Sequence, residues 1–122
     1  MLRKIKNLTV RRSNWTGRKE NRNYPMSPSI LLVNEGSRFD GEMCCLGFLC
    51  KAMGVPKKVM TGMPFPDHLR DDFDIEFNSI YPTMNAFDIA KVNDDRDLTQ
   101  AEREEKLIEL FAESDIKLTF KD

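Results

Sequence analysis

Apolar residues are densest between residues 41 and 54, a stretch that also holds all three cysteines of the chain. One helical stripe of this stretch is formed by Met43, Leu46, Cys50 and Met53. Gly54 follows as a helix C-cap, where a residue without Cβ adopts the left-handed conformation, and Pro56 prevents the helix from resuming. The pattern predicts a buried central helix over residues 43–53.

A second amphipathic segment precedes the C-terminus. Thr99 and Glu102 have the spacing of a capping box, in which the hydroxyl and the carboxylate each bond a backbone N–H of the first turn. The apolar face of the following helix comprises Ala101, Leu107, Ile108 and Phe111, with Leu110 at its edge. These features predict a C-terminal helix over residues 100–113.

Shorter helices are predicted on either side of a proline-rich connection. Residues 56–60 begin with a proline, which suits the first position of a helix. Residues 83–90 are predicted to be a short helix that buries Met84, Phe87 and Ile89.

Alternation and β-branched residues mark the predicted strands, which cover residues 3–10, 30–34, 73–78 and 116–120. In the last two ranges every second residue is apolar, as in a half-buried strand. The first two combine β-branched and apolar residues with flanking turn signals. We therefore expect an α+β fold, with a small, mostly antiparallel sheet packed on the buried central helix and the C-terminal helix.

A chain of 122 residues fits one domain. Within it, residues 1–28 are predicted to be a basic N-terminal segment and loop, and residues 29–122 the α+β core. No apolar run approaches the roughly 18 residues of a membrane span. The N-terminus is basic and lacks the apolar region of a secretory signal. We expect a cytoplasmic protein.

Charge is distributed unevenly along the chain. Residues 1–22 contain eight Lys or Arg and one Glu, a net charge of +7. Because the whole chain carries −1, residues 23–122 carry −8. Three interpretations are open: an anionic ligand for the basic segment, head-to-tail contact between subunits, or a solvated basic arm.

Arginine and aromatic residues of the basic segment form the candidate ligand-binding set, which consists of Arg11, Arg12, Trp15, Arg18, Arg22 and Tyr24. Arginines clamp phosphate in a bidentate fashion while an aromatic ring stacks on a base. Trp15 has two possible roles, as a stacking surface for a base or as a lid on the core whose indole N–H bonds the backbone. The same set would serve a nucleotide, a nucleic acid strand or an acidic protein face.

The cysteines are the candidates for metal binding and thiol chemistry. Cys44 and Cys45 are adjacent, which is poor geometry for a disulfide, and with Cys50 they lie in the apolar helix. We therefore expect buried, reduced thiols. A zinc site needs four ligands, and His68 is the only histidine, as well as the only imidazole base for a thiol nucleophile.

Other catalytic signals are weak. The acidic pairs Asp71-Asp72 and Asp94-Asp95 are typical of solvated loops, and no phosphate-binding glycine loop or serine nucleophile elbow occurs. We predict no catalytic residues, no metal and no cofactor, and expect a protein that is not an enzyme.

Several segments carry a resemblance that spans nearly the whole chain; they are Arg12-Ser-Asn-Trp15, Ser29-Ile-Leu-Leu-Val33, Met43-Cys-Cys-Leu-Gly-Phe48 with Gly54, Arg103-Glu104, Leu110-Phe111 and Ile116-Lys-Leu-Thr-Phe120. In these the chain resembles an uncharacterised family of small bacteriophage and prophage proteins with a Cys-Cys-Leu-Gly-Phe element. The resemblance implies a phage accessory protein acting in the host cell cytoplasm.

By analogy with small phage proteins, we expect an anti-defence role. One such class consists of oligomeric sponges that sequester nucleotide immune signals, such as cyclic ADP-ribose isomers or cyclic oligonucleotides. The expected function is therefore to bind an anionic nucleotide-like molecule without cleaving it, in a pocket shared between the subunits of a homo-oligomer. The alternative is a protein-binding inhibitor of a host defence or metabolic enzyme that meets an acidic partner face, and a second alternative is a small hydrolase.

Overall fold

The computed structural model describes residues 2–18, 42–60, 73–95 and 97–122. Its elements, in chain order, are β1 (Asn7–Arg11), a 3-10 turn (Arg12–Asn14), α1 (Cys45–Met53), α2 (Lys57–Met60), α3 (Phe73–Ile80), α4 (Ala86–Asn93), α5 (Gln100–Ala112) and β2 (Lys117–Lys121). The predicted strand at 30–34 lies outside the described residues.

The sheet of the described part has two strands, β1 and β2, and they are parallel. The prediction of a mostly antiparallel sheet is therefore wrong. Parallel strands need a long crossover, usually helical, and here α1 to α5 lie between the two strands in the sequence. After α5 the chain turns at residues 113–115, with Asp115 at a φ of 61°, and enters β2 beside β1 in the same direction.

The range predicted as a strand at 73–78 is part of helix α3. Phe73 and Phe77 are four residues apart, a spacing that places two side chains on the same face of a strand and also on the same face of a helix. Phe77 is buried and Phe73 is partly buried, whereas Ile75 between them is 64% exposed. A spacing of four residues therefore fits the period of a strand and that of a helix, and only the exposure of Ile75 shows that the segment is helical.

Helix α1 is the buried central helix that the sequence predicts. Its apolar side chains pack against β1 and α4, and Leu46, Leu49 and Cys50 are fully buried. Gly54 ends it at a φ of 107°, the left-handed conformation expected of the C-cap. The N-terminal segment belongs to the same core, because Leu8 and Val10 of β1 are buried.

Helix α5 begins with the predicted capping box. Thr99 Oγ1 accepts from the Glu102 N–H at 3.1 Å, and the Glu102 carboxylate accepts from the Thr99 N–H at 2.9 Å. Leu107 and Phe111 are fully buried, as predicted, but Ile108 is 42% exposed.

Helix α4 runs over residues 86–93, about three residues beyond the predicted range. Ile89 is buried as predicted, whereas Phe87 is 66% exposed and its predicted burial is wrong. Phe87 and Ile89 are two residues apart, which separates them by about 200° around a helix, so they cannot both face the core.

Candidate functional site

The two strands present one polar face to solvent. Both strands alternate exposed and buried residues, so Leu8, Val10, Leu118 and Phe120 face the core. We call the opposite side the basic sheet face and define it by its six exposed residues, Asn7, Thr9, Arg11, Lys117, Thr119 and Lys121. Since partners in a parallel register project to the same side of the sheet, these six side chains form one surface.

Positive charge on the basic sheet face has no ion-pair partner among the residues that the structure describes. Arg11 is the register partner of Lys121, and like charges directly opposite each other destabilise a sheet. Neither residue, nor Lys117, forms an ion pair with any residue that the structure describes. The fold therefore holds together cations that an external anion can neutralise.

Arg12, by contrast, forms ion pairs with carboxylates of the same chain. It lies beyond the end of β1, and its guanidinium donates to both carboxylate oxygens of Glu104 at 2.8 Å and to Asp122 at 3.0 Å. Its guanidinium also lies 5.9 Å from the centre of the Phe120 ring. The hydrogen bond to Glu104 raises the pKa of Arg12 above its ordinary value. This arginine ties the N-terminal segment to α5 and the C-terminus.

Arg18 has an internal anionic partner as well. It donates to the Glu42 carboxylate at 2.7 Å and to the Ser13 carbonyl at 2.8 Å. Glu42 is buried, so the pair is held at low exposure, where charge-assisted hydrogen bonds are strongest. The remaining predicted ligand-binding residues, Arg22 and Tyr24, lie outside the described residues.

Trp15 is part of the core. Its side chain is fully buried, and its ring centre lies 4.7 Å from that of Phe120. A Cβ added at Gly17 would lie 2.4 Å from the indole ring, which shows how closely the backbone covers it. Of the two roles considered for Trp15, its burial supports that of a lid on the core. Its indole N–H bonds a side chain, however, and not the backbone.

The partner of that indole is Asn93, the last residue of α4. Asn93 is fully buried, and its Oδ1 accepts from Trp15 Nε1 at 2.6 Å and from the Cys45 N–H at 3.2 Å. Its Nδ2 donates to Thr16 Oγ1 at 3.1 Å. The N-cap residue of α1, Cys44, makes no side-chain capping bond. Asn93, at the end of α4, instead accepts the hydrogen bond of the Cys45 N–H in the first turn of α1. Nothing in the local sequence indicates this role.

The three cysteines are free and buried. Burial raises the pKa of Cys44 to about 12, and it raises the pKa of Cys45 and of Cys50 as well. Because the thiolate is the reactive form, these side chains are poor nucleophiles in the folded protein. His68, the candidate base, lies outside the described residues, and within them no three His, Cys, Asp or Glu side chains are grouped to hold a metal ion.

We predict that all three thiols react slowly with a thiol reagent such as 5,5′-dithiobis(2-nitrobenzoic acid) in the native protein, and rapidly in denaturant. Their labelling should be limited by opening of the fold, because no thiol reaches solvent. Mass spectrometry of peptides from protein labelled for increasing times gives the rate for each cysteine. Fast native labelling of Cys44 or Cys45 would contradict the structural role and favour thiol chemistry.

A groove of about 400 Å³ lies between α4 and α5. It is lined by four carboxylates, two lysines and three apolar side chains: Asp88, Asp95, Glu109, Glu113, Lys91, Lys106, Val92, Leu98 and Leu110. Four carboxylates and two lysines give the groove an excess of negative charge, so it does not favour an anion.

Comparison of the chain with protein-family models, with curated proteins and with solved structures finds no match. Among the residues described, no helix has the length and apolar character needed to cross a membrane.

Proposed function

We propose that this chain is a phage accessory protein, with an anti-defence role in the host cytoplasm, that binds and sequesters an anionic nucleotide-like signalling molecule without cleaving it. The observation that carries the binding proposal is the basic sheet face, where Arg11, Lys117 and Lys121 share one surface and lack internal ion-pair partners among the described residues. The phage origin rests on the resemblance of the sequence.

The chemical character of the face supports binding in preference to catalysis. Its side chains are guanidinium, ammonium, amide and hydroxyl groups, all of which donate hydrogen bonds to phosphate oxygens. It contains no carboxylate, imidazole or thiol, the groups that most often transfer protons or attack a substrate. A molecule held on this face would therefore be retained intact.

The proposed site retains one member of the predicted ligand-binding set, Arg11, and adds Lys117 and Lys121. Arg12 and Arg18 support it indirectly, because their ion pairs with Glu104 and Glu42 fix the segment that follows β1. Arg22 and Tyr24 stay predictions.

A homo-oligomer is part of the proposal. The basic sheet face is a surface of only two strands, and a second copy lying over it would enclose a ligand between subunits. Subunit number is measurable by light scattering with and without ligand.

The Arg11→Glu/Lys121→Glu double variant should lose capture of nucleotide signals. Each substitution places a carboxylate where phosphate would bind, at the same end of the sheet, and both positions are exposed, so the fold should persist. The test incubates the protein with cyclic dinucleotides, cyclic trinucleotides and cyclic ADP-ribose, removes the protein by filtration, and measures the free nucleotide. Heating the retained protein should return the bound nucleotide unchanged.

The matched control is Lys58→Glu/Lys91→Glu, which makes the same change in net charge at exposed positions on α2 and α4. It should capture nucleotide as the wild-type protein does. Recovery of a cleaved nucleotide would favour the small hydrolase. Absence of capture by the wild-type protein, together with pull-down of one host protein that fails in the double variant, would favour the protein-binding inhibitor.

A further inference from the structure

The basic sheet face is elongated, and its cations are at its two ends. One end carries Lys117 opposite Asn7, and the other carries Arg11 opposite Lys121. Four residues separate the ends along each strand, which corresponds to about 13 Å at a rise of about 3.3 Å per residue. The phosphate of a mononucleotide can occupy one end only, whereas a chain of phosphates can reach both.

The hydrogen-bonding groups between the ends also suit a phosphate chain. The middle register pair is Thr9 with Thr119, so two hydroxyls lie between the two cationic ends. Lys, Arg, Thr and Asn are the side chains that most often bond phosphate and sugar oxygens in nucleic acid complexes. Every exposed position of both strands therefore has a residue type that bonds the phosphates and sugars of a nucleic acid.

The same face lacks the features that two other ligands would need. It carries no aromatic side chain, so a base has no ring on which to stack. Protein interfaces usually have a buried aromatic or apolar anchor near their centre, and here the centre is a pair of threonines. A polyanion recognised by its backbone fits the face better than a stacked base or an acidic protein.

We infer that the ligand of the basic sheet face is a linear oligonucleotide or nucleic acid strand, which lies along β1 and β2 and is held through its phosphates without base recognition. At about 3.4 Å per phosphate of a stacked strand, 13 Å spans about four phosphate-to-phosphate steps, so a strand of about six nucleotides, with about five internal phosphates, reaches both ends. This inference rests on the proposed function, because it specifies the nucleotide-like anion that the same face binds.

The first test measures binding of fluorescently labelled oligothymidylates of two, six and eight nucleotides by fluorescence anisotropy at low salt. The affinity should rise about tenfold from two to six nucleotides, as phosphates come to engage both ends of the face, and should rise only slightly from six to eight. Eight-nucleotide oligomers of dT, dA and dC should differ by less than about threefold. A polyglutamate peptide of equal charge should bind more weakly than the eight-nucleotide dT oligomer.

The second test counts the phosphates by the salt dependence of the binding constant. Three cations predict a slope of log K against log salt of about −2 for a single strand. Lys117→Gln should make the slope shallower by about 0.7, and Lys121→Gln should do the same at the other end of the face. Lys58→Gln on α2 is the matched control and should leave the slope unchanged. Circular dichroism checks that each variant is folded.

The possible outcomes separate this inference from the proposed function. Equal affinity for two and eight nucleotides, a preference of more than tenfold for one base, or equal binding of polyglutamate would overturn the linear-strand inference. If cyclic nucleotides are still captured and Arg11→Glu/Lys121→Glu still loses them, the proposed function stands. If the wild-type protein binds no cyclic nucleotide and no oligonucleotide, both are wrong.

Discussion

Replacing Trp15 with alanine should lower the free energy of unfolding by about 3–5 kcal/mol, which is the usual cost of truncating a large buried aromatic side chain. The indole is fully buried against Phe120, and the Gly17 backbone covers its edge. Truncation would leave a cavity between Phe120 of β2 and Asn93 of α4, and would remove the donor bonded to Asn93. Urea denaturation followed by circular dichroism measures the change.

Two further variants calibrate that result. Thr99→Ala removes the hydroxyl of the α5 capping box and should cost about 1 kcal/mol, well below Trp15→Ala. Gly17→Ala should cost about 1–3 kcal/mol through overpacking, because the added Cβ meets the buried ring at 2.4 Å. If Trp15→Ala left the stability unchanged and abolished nucleotide binding, Trp15 would be a stacking surface and the core role would be wrong.

The elements predicted correctly from the sequence are those whose signals are local. The capping box of α5 needs only Thr99 and Glu102, three residues apart, and the end of α1 needs only Gly54. The C-terminal strand follows from strict alternation of apolar and polar residues. Each of these signals lies within a few residues of the structure that it specifies.

The elements predicted wrongly depend on information outside the local sequence. Spacing of Phe73 and Phe77 satisfies the period of a strand and that of a helix, and the choice depends on where the core lies. Strand direction has no local signal at all. β1 and β2 are about a hundred residues apart, so the path of the intervening helices determines that they pair in parallel.

The same reasoning explains why only part of the proposed site was predicted. Arg11 and Arg12 are adjacent and chemically equivalent in the sequence, but Arg11 lies on the exposed side of β1, whereas Arg12 follows the strand and meets Glu104. Lys117 and Lys121 alternate with core residues, which indicates exposure and nothing more. Pairing of the two strands is what brings these lysines beside Arg11, and it is visible only in the fold.

Asn93 is the clearest case of a residue whose importance is tertiary. In the sequence the acidic pair Asp94-Asp95 follows it, which is typical of a solvated loop and gives no sign of burial. In the fold it connects three parts of the chain: the indole of Trp15, the first N–H of α1 at Cys45, and the hydroxyl of Thr16. Because its amide has both a donor and an acceptor, it satisfies groups of both kinds in a buried position.

Replacing Asn93 with leucine, an apolar residue of similar size, should lower the free energy of unfolding by about 2–6 kcal/mol. The substitution leaves two buried donors, Trp15 Nε1–H and the Cys45 N–H, without their acceptor, at about 1–3 kcal/mol each. Trp15→Phe removes the first of these donors in advance, so Asn93→Leu should cost about 1–3 kcal/mol less in that background. Urea denaturation of the four proteins of this double-mutant cycle measures the coupling. Strictly additive costs would show that the bond between Trp15 and Asn93 contributes nothing to stability, and the packing of the indole alone would then account for its place in the core.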